Sequence, residues 1–224
     1  MKHTENTPGN EKISMQAVIG QSVQLSACLN IDTSILLDKR VCTTEIEQRK
    51  NDNPELQHVV QYLDGILDTS ILKTPLIITD DEGCVLYIKG SAETEPLLRE
   101  GVMLGTEQIG TNAFDLALKH LIPVKVTGPE HTLKVLAHSI SFGVPILHGS
   151  KLLGGIGFVL SIKDNYQSGV MENIIRSCLH AIAKMLEARK NLDELFLLKN
   201  FFINLDNDRG IIVTNSDFEI IQVN

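Results

Sequence analysis

The residues best equipped for chemistry fall between His120 and Ser141: a Glu130-His131 pair, His138, and the two hydroxyls of Ser139 and Ser141. His120, His131, His138 and Glu130 offer nitrogen and oxygen donors, but the spacing is not His-Glu-x-x-His. No second histidine sits one helical turn away in a capped helix, so a metal site is not expected. A serine nucleophile beside a histidine base would need a strained Gly-x-Ser-x-Gly turn and an oxyanion hole, and the sequence shows neither. The cysteines Cys28, Cys42, Cys84 and Cys178 are scattered without a Cys-x-x-Cys pair, which reads as reduced, partly buried thiols. No Gly-x-x-x-x-Gly-Lys loop is present to cradle a phosphate. Catalysis and a bound cofactor are therefore not expected. What remains is recognition: an apolar-walled cavity with a few polar groups, for which Thr111, Asn112, Glu130, His131, Ser139 and Ser141 are the candidates. Each has a structural alternative, helix capping for Thr111 and Asn112 and a hydrogen-bonded corner for Glu130 and His131.

The elements that position these groups can be read from the surrounding chain. Gly110 allows a tight turn, and Thr111 or Asn112 can cap the mostly apolar helix that Phe114, Leu116, Ala117, Leu118 and Leu121 describe. Pro123 stops that helix, and Val124 and Val126 alternate with Lys125 and Thr127 as in a strand. Upstream, Ile13 to Leu29 reads as a helix with Ile13, Ala17, Val18, Leu25 and Cys28 on one face. Thr44-Glu45-Ile46-Glu47 has the order of a capping box. Pro54 opens a clear helix, with Leu56, Val59, Val60, Leu63, Ile66 and Leu67 at the 3.6-residue repeat. Two hairpins are expected, one turning at Asp80-Asp-Glu-Gly83 and one at His148-Gly-Ser-Lys151. The second hairpin's long strand holds Gly154, Gly155 and Gly157, which mark a bulge or the close approach of another backbone or a ligand.

Ile109-Gly-Thr-Asn-Ala113, then Pro123-Val-Lys-Val-Thr-Gly-Pro-Glu-His131, then Pro145-Ile146, resembles the N-terminal GAF sensor domain of sigma-54-dependent transcriptional regulators. The group controlling acetoin and dihydroxyacetone catabolism is the most similar. The resemblance implies an α+β fold: a GAF-like antiparallel sheet flanked by helices, with an N-terminal helical segment and a C-terminal signalling helix. In it the stretch from Gly90 to Leu104 covers one mouth of the pocket. It also implies a small-molecule effector, and an AAA+ ATPase and a helix-turn-helix that read it out. DNA and sigma-54 RNA polymerase would be met only through those domains, whose motifs are missing from this sequence. Where family members commonly carry Trp and Cys before Pro-Ile, this chain has Ser139 and Ser141, and it has no Trp at all. Gln21 to Cys28 likewise keeps the Ser and Cys of a family segment but not its Trp and Arg. The pocket lining is therefore expected to differ, and the family's ligand is not carried across.

Composition argues against a nucleic-acid clamp. The chain of 224 residues carries a net charge of −8, which opposes binding by counterion release, and its 43% hydrophobic content suits a globular core. The longest uncharged apolar run, Leu152 to Ile162, is too short for a bilayer span of roughly 20 residues, and the scattered cysteines, read as reduced thiols, lead to the expectation of a cytoplasmic protein. From Ser168 the pattern is helical, with Met171, Ile175, Cys178, Ile182, Met185, Leu192 and Phe196 at steps of four and three, interrupted at Arg189. This heptad-like seam predicts a homodimer through the Ser168–Asn200 helix, with Glu172, Lys184, Glu187, Lys190, Asp193 and Glu194 on the exposed face. After Arg209, two apolar runs around Asn215-Ser-Asp217 read as a hairpin that resembles the first strands of a PAS domain. The expected divisions are 1–53, a polar tail and helical segment; 54–189, the GAF domain; 190–207, a signalling helix; and 208–224, an incomplete PAS domain. The rival readings are a GAF sensor of a histidine kinase or cyclic-nucleotide enzyme, a thiol-based GAF-fold reductase, and a GAF domain that only dimerises.

Overall fold

The computed structural model describes residues 14–29, 31, 40–67, 74–90, 98–203, 212–214 and 220–223. The chain divides into two compact units, Met1–Ala183 and Lys184–Asn224.

The first unit is built on a five-stranded antiparallel sheet with strand order β2-β1-β5-β4-β3. Its strands are β1 (Leu76–Thr79), β2 (Val85–Lys89), β3 (Val124–Thr127), β4 (Ser139–His148) and β5 (Lys151–Ser161). The two hairpins predicted in this part of the chain form, and Gly83 (φ +82°) and Gly149 (φ +59°) supply the positive φ their turns require. The helices before the sheet are α1 (Met15–Cys28), α2 (Thr43–Asp52) and α3 (Pro54–Ile66). Two short helices, α4 (Thr106–Ile109) and α5 (Ala113–His120), follow β2, and α6 (Asn165–Ile203) follows β5.

Side-chain alternation gives the sheet two distinct faces. On one, Gly143 and Gly157 lie opposite each other, and Gly155 is the next such position on β5. A Cβ on Gly143 would sit 2.8 Å from the Ala113 carbonyl oxygen, and one on Gly157 would sit 2.8 Å from the Phe114 ring. Gly143 thus admits the backbone of α5 and Gly157 the Phe114 ring, so α5 rests directly on the sheet, while Gly154 faces the Thr79 carbonyl of β1. The other face carries Lys125 and Phe142. Glu172 accepts from Lys125 Nζ at 2.8 Å, Ser168 Oγ accepts from it at 2.8 Å, and the Arg176 guanidinium lies 5.6 Å from the Phe142 ring centre. These contacts hold the first half of α6.

Three sequence expectations need correction. The buried face of α1 is Val18, Ile19, Ser22 and Ser26, while Leu25 is 51% exposed and Ala17 and Cys28 face solvent. Ile13 lies outside the described residues. The rotation follows from hydroxyl partners that an apolar pattern does not register. The capping box at Thr44 does not form; α2 starts at Thr43 behind Cys42 with no side-chain cap. Arg49 instead ties the helix down, donating to Glu45, Asp80 and Glu82 at 3.1, 2.9 and 2.8 Å. In α6, Met171, Ile175, Cys178 and Ile182 are buried in the chain's own core, and Glu172 is clipped to Lys125 rather than solvated. The first half of the expected seam is therefore not free for a second copy. Leu192 and Leu195 remain 65% and 61% exposed, and the side chain of Phe196 lies outside the described residues.

The second unit contains the end of α6 and an antiparallel pair, β6 (Ile212–Thr214) and β7 (Ile220–Val223), with Ile212 opposite Val223. Among the described residues no helix is long and apolar enough to cross a membrane.

Candidate functional site

The turn between α4 and α5 is fixed by its sequence. Gly110 takes φ +71°, and a side chain there would run into Thr132. Asn112 is the N-cap of α5: its Oδ1 accepts from the Asp115 N–H at 3.0 Å. Its amide group donates to the Leu104 and Gly110 carbonyls at 2.7 and 2.9 Å, so every polar atom of this buried side chain is engaged. Thr111, 1% exposed, shares hydrogen bonds with Ser22 Oγ at 3.0 Å and Ser26 Oγ at 3.1 Å, and its N–H donates to Thr132 Oγ1 at 2.9 Å.

The second group of candidates is a corner at the end of β3. The Thr127 N–H donates to the Glu130 carboxylate at 2.7 Å, closing a short 3-10 turn over Gly128–Glu130. His131, 5% exposed, has Nδ1 3.0 Å from the Gly128 carbonyl and Nε2 2.8 Å from Ser141 Oγ. A carbonyl only accepts, so Nδ1 carries the proton. Burial holds the His131 pKa below the usual imidazole value, which leaves Nε2 as an acceptor for the Ser141 hydroxyl. The His131 ring is thus uncharged at neutral pH. Ser139 is buried two residues earlier on β4, on the same face as Ser141.

The structure therefore gathers the sequence candidates at two neighbouring points, tied by the Thr111–Thr132 bond next to His131. Beside them lies an apolar cluster of Ile77, Val85, Leu98, Ile109, Phe114, Leu133 and Leu136, with Val159 packed against it. These residues come from the sheet, the α4–α5 turn, the end of the Gly90–Leu104 stretch and the segment after His131. The arrangement is a buried apolar cluster edged by hydroxyls, a carboxamide and a neutral imidazole, with the Asn112 and His131 side chains hydrogen-bonded within the protein. It holds no activated nucleophile. Burial pushes the Cys84 thiol up to about 11 and raises that of Cys178 as well, so neither is a ready thiolate. No group of His, Cys, Asp and Glu suited to a metal ion occurs among the described residues.

Two features escaped sequence reasoning. Ser22 and Ser26 join the site through Thr111, and their four-residue spacing on a helix was the available signal. A cleft of about 520 Å³ lies between α2 and the β1–β2 turn, lined by Glu45, Arg49, Asp52, Asp80, Glu82 and Lys151 among others. The Asp80-Asp-Glu82 run was visible there, but Arg49, from a different helix, was not assigned to it.

No family model matches the chain, and no curated protein sequence does. Among solved structures, the E. coli DhaR(N)–DhaL complex contains a chain similar to this one, with TM-score 0.74 and 18% identity over 92% of this chain and 73% of that chain. The cofactor-binding GAF domain of the nutrient sensor CodY from Clostridium difficile matches at TM-score 0.30 and 14% identity, over 64% of this chain and 97% of that one. The A. aeolicus nlh2 GAF domain, in an inactive state, matches at TM-score 0.31 and 12% identity, over 77% and 99%. The DhaR(N) likeness extends over nearly the whole chain, and the antiparallel sheet flanked by helices with a long C-terminal helix is the GAF-like α+β architecture that the sequence predicts.

Proposed function

We propose that this chain is the sensory region of a sigma-54-dependent transcriptional regulator. It binds a small effector between the sheet and the segment that follows β2, and transmits the event along α6 to output domains outside this sequence. The observation that carries the reading is the placement of Asn112, His131 and Ser141 beside one apolar cluster, on a fold shared with DhaR(N). On this reading the protein binds its ligand rather than transforming it. The mechanism is a population shift, so the effector must bind one conformer better than the other. The last residues open a PAS-type domain, and the protein works in the cytoplasm.

A second copy is the expected partner of α6, through its later part. Met185, Ala188, Leu192 and Leu195 follow four-three-four-three spacing from Ala181, and Leu192 and Leu195 are exposed. A second reading replaces the small effector by a protein: DhaR(N) is found in complex with DhaL, and the chain resembling it spans most of this one.

Isothermal titration against a panel of small neutral and anionic metabolites tests the primary reading. A hit should lose affinity in Asn112→Ala and His131→Ala beyond what their lowered melting temperatures explain. Equal loss of stability in both variants with unchanged affinity would return these residues to cap and corner roles alone.

A further inference from the structure

We infer that Ser22 and Ser26 form a latch on Thr111 that lets α1 report the position of the helix pair beside the effector site. The inference rests on the reading that α4 and α5 wall that site. The hydroxyls of Ser22, Ser26 and Thr111 are 6%, 2% and 1% exposed as residues and meet at one point, with Thr111 Oγ1 between the two serines at 3.0 and 3.1 Å. Each hydroxyl has one proton and two acceptor sites, so Thr111 either accepts from both serines or donates to one and accepts from the other, and these patterns interchange without moving a heavy atom. A contact of this kind re-forms readily after a small displacement, unlike a packed apolar knob.

The place it grips matters more than the bond itself. Thr111 follows Gly110, the pivot between α4 and α5, whose φ is +71°. Ile109 before the pivot and Phe114 after it both belong to the apolar cluster beside the candidate site. The Thr111 N–H is also bonded to Thr132, whose neighbours His131 and Leu133 line the corner and the cluster. A ligand that shifts Ile109, Phe114 or Leu133 therefore shifts the atom that α1 holds. The rest of the α1 contact is small: Val18 and Ile19 pack on Ala113, Leu116, Ala117, Val124 and Val126, while Leu25 and Leu29 are 51% and 43% exposed. A helix of 14 residues is marginal by itself in water, so α1 depends on this docking and sits at the easily released end of the stability range.

Hydrogen exchange of the full chain, with no small molecule added, tests the latch whether or not an effector is ever found. In Ser22→Ala/Ser26→Ala, amides of residues 15–28 should exchange about tenfold faster, the loss expected for roughly two modest buried hydrogen bonds. Amides of 106–120 should also quicken, while those of β4 and β5 keep their protection. Thr111→Val should reproduce the effect, and Thr111→Ser, which keeps the hydroxyl, should not. Unchanged exchange in 15–28 would overturn the latch. Acceleration confined to 15–28 would make the serines an anchor without reach to the helix pair, and would also overturn it. If the double variant loosens every element, the two single serine variants decide the same comparison.

Discussion

His131 shows how a residue that is a recognition candidate in sequence becomes informative through its surroundings. It is buried, bonded at both ring nitrogens, and held neutral by desolvation, so its folded pKa lies below that of the unfolded chain. The sign follows from linkage. The unfolded state takes up a proton as pH falls through its ordinary value of about 6.5, and the folded state does so only at lower pH. The stability His131 contributes is therefore full above that value and is lost on acidification below it. Melting temperatures measured from pH 7.5 to 5 should fall, and the fall should be shallower in His131→Gln. A slope unchanged by that substitution would place the acid sensitivity elsewhere. The Glu130-His131 pair was legible as a polar corner in the sequence. That Ser141 donates to the ring was not, because it depends on the register that sets Ser141 beside Val126 and brings β4 back along β3.

At the scale of elements, the sequence was most readable where one pattern acted alone. The helix that opens at Pro54, the two hairpins and the Asn112 cap all follow from local propensity and spacing, and all are present. It was least readable where two surfaces competed for one helix. The buried face of α1 is partly polar because Thr111 answers its serines. The apolar columns of α6 divide between the chain's own core and solvent, and a periodic count cannot tell these apart.

The strand glycines are an intermediate case. Their number signalled a close approach, and only the fold shows that β1 approaches Gly154 while α5 approaches Gly157 and, on the neighbouring strand, Gly143. Gly143→Ala should be destabilising by about 1–3 kcal/mol, the usual cost of overpacking, because the added carbon meets the backbone of Ala113 and Phe114 rather than a side chain that could turn away. A melting temperature equal to wild type would mean that α5 can lift from the sheet. For α6, Leu192→Glu/Leu195→Glu should convert a dimer into a monomer in light scattering without lowering the melting temperature of the domain. Ile182→Glu should unfold the domain instead, since Ile182 is 1% exposed in the chain's own core. A wild type that is monomeric at high concentration would remove the second copy from the proposal.

At the scale of the whole molecule, the division at Ala183 and Lys184 separates two kinds of stability. The first unit has a five-stranded sheet covered by helices and contains the candidate site. The second carries a pair of short strands, β6 and β7, of three and four residues, whose ladder is with each other. A two-stranded ladder is at best marginal in water, and its open edges are templates for pairing with another chain. Deleting residues 209–224 should therefore leave the main thermal transition unchanged and reduce concentration-dependent aggregation. The deletion should also leave effector affinity intact, because every residue of the candidate site lies before Ala183. Differential scanning calorimetry of the two proteins at equal concentration provides the check. A drop of several degrees would show that the tail contributes to the stability of the sheet-bearing unit, and would count against its being the opening of a separate PAS domain.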